Sequence, residues 1–114
     1  MDRKEFERAK IIDVETIIEY SPGAVVSKTV TNRPEGTVTL FAFDKGQGLS
    51  QHTAPFDAQV HIIEGEATIV IDSKSYILHS GQMIVMPAGS PHSLDANEKF
   101  KMILTMIKSR PQEG

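Results

Sequence analysis

The sequence contains no cysteine, which removes disulfides, thiolate metal sites and thiol nucleophiles and leaves histidine, carboxylate and hydroxyl groups for any chemistry. No apolar run approaches the roughly 20 residues that cross a bilayer as a helix. The first residues, MDRKEFERAK, are charged where a secretory leader requires an apolar stretch, so a cytoplasmic protein without membrane attachment is expected. Basic residues are not in excess either. Twelve Lys and Arg against 15 Asp and Glu give a net charge of −3, which offers no field to nucleic acid or anionic lipid. Also missing is a phosphate-binding loop, because Gly46-Gln47-Gly48 lacks the lysine and the following helix that such a loop needs. The serines are not set in a nucleophile elbow, no two carboxylates share a face as a glycosidase would require, and repeats are absent.

What remains is an ordinary globular composition: 114 residues, 39% hydrophobic and 24% charged, enough for a single domain spanning residues 1–114. Asp2 followed by Glu5 reads as a capping box, which predicts a short helix over residues 3–10 with Glu5 and Arg8 on a solvated face. From Ile11 onward, β-branched runs are broken by turn residues: IIDVETIIEY, AVVSKTVT, TVTLFAF, AQVHII, EATIVI, SYIL, QMIVM and FKMILTMI. Roughly seven to nine short strands without intervening helices predict an all-β sandwich or barrel. In the last run Met102, Leu104 and Met106 share one face and Ile103, Thr105 and Ile107 the other, so both faces are largely apolar. Both must then be covered, by a second sheet or by a partner, and a homodimer is expected. Residues 108–114 carry no core signal and are expected to form a flexible tail.

Two segments concentrate the chemistry, GQGLSQHTAPFDAQVHIIEG from Gly46 to Gly65 and GQMIVMPAGSPHSLDAN from Gly81 to Asn97. Together they resemble the two motifs of the cupin superfamily. Gly46, His52 and Gly65 fit the first motif, while Ala54 stands at its second His place and Ala58 at its Glu place. Gly81, Pro87, Gly89 and His92 fit the second in full, and Asn97 lies one place beyond the usual Asn. The resemblance implies a double-stranded β-helix, the cupin jelly-roll barrel, with a degenerate first metal motif. It does not select among the isomerases, dioxygenases, storage proteins and sensors that share this fold.

If the strand after Pro55 keeps the family's register, Ala58, Val60 and Ile62 point inward and Gln59, His61 and Ile63 outward. The expected ligand pocket is then lined by His52, Ala54, Phe56, Ala58, Val60 and His92, with Phe56 as a lip at its mouth. Two neutral imidazoles bring no negative charge to a divalent cation, so His52 and His92 are expected to hold manganese, iron, nickel or zinc weakly, and a metal-free pocket is an equal expectation. Gln59 or His61 reaches the lumen as a further ligand only with a register shift. His61 otherwise belongs to an outer face or dimer contact, His79 to a solvated loop, and Met83, Met86, Met102 and Met106 to the core. Beside the metal site stand two further readings: His52 and His92 as core histidines hydrogen-bonded to backbone or water, and a metal-free proton transfer by one of them, with Asp57 the nearest acid to His52 in sequence. Two functions follow: a small-molecule binding barrel, or a metal-dependent cupin enzyme of the dioxygenase or isomerase type.

Overall fold

The chain folds as an all-β jelly roll; the computed structural model describes residues 5–108. Eight strands run as β1 (Val25–Arg33), β2 (Gly36–Phe43), β3 (Gly48–His52), β4 (Asp57–Ile71), β5 (Lys74–His79), β6 (Met83–Met86), β7 (His92–Asp95) and β8 (Phe100–Ile107). Every pairing is antiparallel, in the order β1-β2-β8-β4-β7-β3, with β5 and β6 also bonded to β4. Strand β4 is the spine. Its first part, from Asp57 to Gly65, pairs with β8 and β6, and its second, from Glu66 to Ile71, pairs with β5 and β7. Between the two, Ile63 is an extra residue in a bulge opposite β8. A bulge bends and twists its strand, and here the bend carries β4 from one half of the barrel to the other.

Alternation along the strands assigns the two faces. Phe43, Phe100, Met102, Val60, Ile62, Ile69, Leu94 and Met86 meet inside the barrel, each at most 2% exposed. Phe43 and Phe100, register partners on β2 and β8, stack with centroids 4.5 Å apart and planes 11° from parallel. Met83 differs from the other methionines: it is 55% exposed, because its place on β6 is one residue out of phase with buried Met86 and faces outward.

The second apolar face of β8 is met by the chain's own N-terminal segment. Ile18, Leu40, Ala42 and Ile63 form an outer cluster on which Phe6, Val14, Tyr20, Val30 and Ile103 pack. Two sequence expectations are corrected here. Residues 5–10 are not helical, the remainder of the expected 3–10 helix lying outside the described residues. The amide of Phe6 instead donates to the Val30 carbonyl along the free edge of β1, and Ala9 takes a φ of 57°, which a helix does not admit. Glu5, the expected cap partner, accepts from the Asn32 amide and pairs with Arg33 at 2.7 Å and Arg8 at 3.0 Å. Those contacts hold its carboxyl below the usual carboxylate range, the Arg33 hydrogen bond foremost. Likewise Ile11–Tyr20 is a turn-bearing strap and not a strand: Lys28 and Lys101 donate side-chain bonds to the carbonyls of Ile17 and Glu15, bonds that a sheet neighbour would otherwise supply. Tyr20 anchors the end of the strap by donating to Glu64 at 2.7 Å. Burial, and then that carboxylate, push its hydroxyl far up in pKa. The expected flexible tail beyond Lys108 falls outside the described residues.

Beneath the strap lies an apolar cavity of about 110 Å³ lined by Phe6, Ile12, Val14, Val30, Val38, Leu40 and Ile103. Val38→Ile adds one methylene to this space and is expected to stabilise the fold by about 0.5–1 kcal/mol, read as a higher urea midpoint at unchanged slope. A lower midpoint would mean that the strap cannot accept the added volume.

Candidate functional site

Strands β3 and β7 pair antiparallel, and their register sets His52 directly opposite His92. On its other side β7 pairs with β4, which places Ile71 opposite His92 and Ile69 opposite Leu94. His92 therefore shares the inward face with Leu94 and is 3% exposed, whereas His52, at the end of β3, is exposed. The imidazoles meet edge to face, centroids 4.4 Å apart and planes at 73°. Their Nε2 atoms are 3.2 Å apart.

Each ring is fixed from behind in the same way. Nδ1 of His52 lies 2.8 Å from the Ser50 carbonyl and Nδ1 of His92 lies 3.0 Å from the Ser90 carbonyl. A carbonyl only accepts, so Nδ1 carries hydrogen in both rings and each neutral ring aims an Nε2 lone pair at the other. Two such lone pairs at 3.2 Å repel unless something electropositive lies between or before them. Burial lowers the proton affinity of His92; the Ser90 bond acts in the opposite direction, and the neighbouring His52 in the same one. That the rings bond to backbone is one of the expected readings; that the partners are the carbonyls two residues before each histidine was not read from the sequence. Their one signal is the repeated Ser-x-His of Ser50-Gln51-His52 and Ser90-Pro91-His92, a weak one because any residue could supply the carbonyl.

The two loops behind the rings are stapled together. Gly89 donates its amide to the Ala54 carbonyl at 2.8 Å, and Ala88 donates to Asp57 Oδ1 at 2.9 Å. Asp57 is the first residue of β4 and its carboxylate braces the turn that leads to His92; no hydrogen bond joins it to His52 among those formed by the described residues. Ala54 and Phe56 are half-buried, the Lys108 ammonium standing 5.6 Å from the Phe56 ring centroid, and Ala58 and Val60 are buried in the core cluster. Gln59 and His61 alternate with Ala58, Val60 and Ile62 and face outward, because the bulge in β4 comes after them, at Ile63. His79 ends β5 at the surface, 3.5 Å from Glu66.

The fit to a metal is partial. Two nitrogens about 2.1 Å from one ion sit roughly 3.2 Å apart when they subtend an angle near 100°, so the spacing suits two ligands of a single centre. Number and charge do not suit a resident ion: among the described residues no group of three His, Asp or Glu side chains could hold one. Ala54 and Ala58 leave the pair neutral and incomplete.

Residues 39–108, more than half of the chain, match the cupin domain as a protein family. Among solved structures, a conserved protein of unknown function from Streptococcus pyogenes is 38% identical, with a TM-score of 0.89 over 97% of this chain and 98% of that one. A cupin 2 conserved barrel domain protein from Leptotrichia buccalis is also 38% identical, with a TM-score of 0.80 over 82% of this chain and 46% of its own. A mutant of salicylate 1,2-dioxygenase from Pseudoaminobacter salicylatoxidans, 18% identical over 73% of this chain and 26% of its own, shares the fold with a TM-score of 0.68. No curated protein matches the sequence. The jelly roll wound about β4, the motif residues Gly81, Pro87, Gly89 and His92, and these likenesses agree: the chain belongs to the cupin family.

Proposed function

We propose that this cupin binds a small molecule at the barrel mouth, with the paired Nε2 atoms of His52 and His92 receiving a polar hydrogen of the ligand. The observation that carries this reading is the braced pair: both Nδ1 atoms are committed to carbonyls, and both Nε2 atoms converge 3.2 Å apart. A hydroxyl or other donor offered to the pair relieves the lone-pair repulsion, and the body of the ligand lies against half-buried Ala54 and Phe56, Ala58 and Val60 being buried in the core. A few placed polar groups in an apolar surround are the usual form of a ligand site.

The second reading is a metal-dependent enzyme of the dioxygenase or isomerase type, favoured by the 3.2 Å bite of the two nitrogens. A divalent manganese, iron, nickel or zinc ion would supply Lewis acidity there. His52 and His92 are its two candidate ligands, and the rest of its coordination would fall to water or substrate.

One experiment separates the two. Purified protein is incubated with each of the four metals, desalted and analysed for bound metal, and the metal-free form is then titrated with phenol and with benzoate while the imidazole nitrogens are followed by nuclear magnetic resonance. The first reading expects metal-free protein whose His52 and His92 signals move with phenol, the movement disappearing in His52→Ala. Near one equivalent of metal, lost in His52→Ala and in His92→Ala, together with silence toward both probes, would replace the first reading by the second.

A further inference from the structure

A seam of apolar space runs under the N-terminal strap, used neither by the barrel core nor by the histidine pair. Its inner part is the cavity of about 110 Å³, whose walls are all apolar: Val30, Val38 and Ile103 from the sheet and Phe6, Ile12 and Val14 from the strap among them. Phe6 and Ile12 also wall a wider groove of about 510 Å³ that opens to solvent past Lys10, Ile11 and Ile17. On that rim Ile11 is 93% exposed and Ile17 38%, large aliphatic side chains left in water.

The strap over this space is held at its ends. The Phe6 amide binds the Val30 carbonyl on one side, and Lys101 and Lys28 hold the carbonyls of Glu15 and Ile17 on the other. Among the described residues no backbone hydrogen bond ties residues 7–12 to the sheet, and from that stretch the Arg8 side chain alone makes a polar contact with β1. Ala9, in its middle, keeps a left-handed φ of 57°, a strained place for a residue with a Cβ.

We infer that this seam binds an uncharged aliphatic molecule with one polar end, the hydrocarbon tail in the cavity and the polar end in the wet groove. An apolar space offers water no hydrogen bond, and one of about 150 Å³ accepts benzene, so 110 Å³ takes a tail of about four carbons. A charged group is excluded from both parts. Inside the cavity an ion would be buried without a partner. In the groove Glu5 is held by Arg33, and Glu7 faces Lys10 at 4.0 Å, so neither sign is left in excess for a ligand of the other. Ile11 and Ile17 continue the apolar wall outward, and residues 7–12 admit the tail by lifting between their two tethers while the sheet stays paired. The inference does not rest on the histidine pair, since neither His52 nor His92 lines the seam.

The test titrates the full chain with straight-chain methyl ketones from butanone to nonanone, which carry no hydrogen-bond donor for the histidines, and follows the methyl signals of Ile12, Val38 and Ile103 by nuclear magnetic resonance. These signals are expected to move. Affinity should rise about fourfold with each added carbon until the tail fills the cavity, and far less beyond that length. Val38→Ile, which fills part of the cavity, should end the rise about one carbon sooner, and Val38→Ala should end it later, whereas His52→Ala should leave the series unchanged. Signals that stay still throughout the series overturn the inference. So does a rise that His52→Ala abolishes, or one that runs unbroken or breaks at the same length in wild type and both Val38 variants, which would place the ketones on the open surface of Ile11 and Ile17.

Discussion

Gly65→Ala is expected to remove about 3–5 kcal/mol of stability, a large share of the roughly 5–15 kcal/mol that a domain of this size has. Gly65 closes the bulge at which β4 passes between the two halves of the barrel, with a φ of 84°. An L side chain held in that region costs about 1–2 kcal/mol by itself. The added methyl would also fall inside van der Waals contact of the Lys99 carbonyl oxygen and 3.0 Å from Phe100 Cα and Cβ. Backbone that belongs to a paired strand cannot step aside as a flexible side-chain tip can, so the second cost comes on top of the first. Gly23→Ala separates the two contributions. Its φ of 67° demands the same left-handed backbone, but nothing lies within 4 Å of a Cβ there, and a loss of only about 1–2 kcal/mol is expected. Urea denaturation of both variants measures the difference; equal losses would show that the contact with β8 yields. The site would feel the change, because β4 beyond Gly65 carries Ile71, the register partner of His92.

Most strands were legible because the chain alternates cleanly where one face is wet, but the turn expected at Glu64-Gly65 is a bulge inside the single strand β4, and the short β3 and β7 were not among the expected runs. The apolar character of both faces of β8 was equally plain, and it correctly demanded a cover. What the cover was could not be read. The strap is built from Phe6, Val14, Ile18 and Tyr20, a pattern that resembles a strand, but its backbone is satisfied by lysine side chains from distant strands. Sequence-local reasoning sees neither Lys28 nor Lys101 as a backbone partner, and it misread the capping box for the same reason, since Glu5 finds Asn32 and Arg33 instead of its own turn. At the site, the motif resemblance put His52 and His92 together in one interior pocket; the register does bring them opposite each other, with His92 buried and His52 exposed. The orientation of the rings depends on main-chain carbonyls, which any residue supplies, so the repeated Ser-x-His marks them only weakly.

His92→Ala is expected to cost about 2–4 kcal/mol at pH 8, against less than about 1 kcal/mol for His52→Ala. His92 is 3% exposed, so truncation leaves both a cavity beside Leu94 and Ile71 and the Ser90 carbonyl without its donor, whereas the exposed His52 ring gives up little packing. The cost should shrink toward pH 5. Burial, acting first, holds the proton affinity of folded His92 below its value of 6.5 in the unfolded chain. As the pH falls through that range the unfolded chain takes up a proton that the folded protein resists, so the wild type loses stability with acid and the alanine variant escapes that loss. Urea titrations of both proteins at pH 8 and pH 5 measure the trend. A cost that grows toward pH 5 would reverse the sign: it would mean that the folded pair holds the proton more tightly than the unfolded chain does, which the geometry permits only if Nε2 of His52 accepts it across the 3.2 Å gap. In that case the electropositive species that the braced pair requires would be a proton already in place, and neither Nε2 would have a lone pair left to receive a ligand's hydrogen.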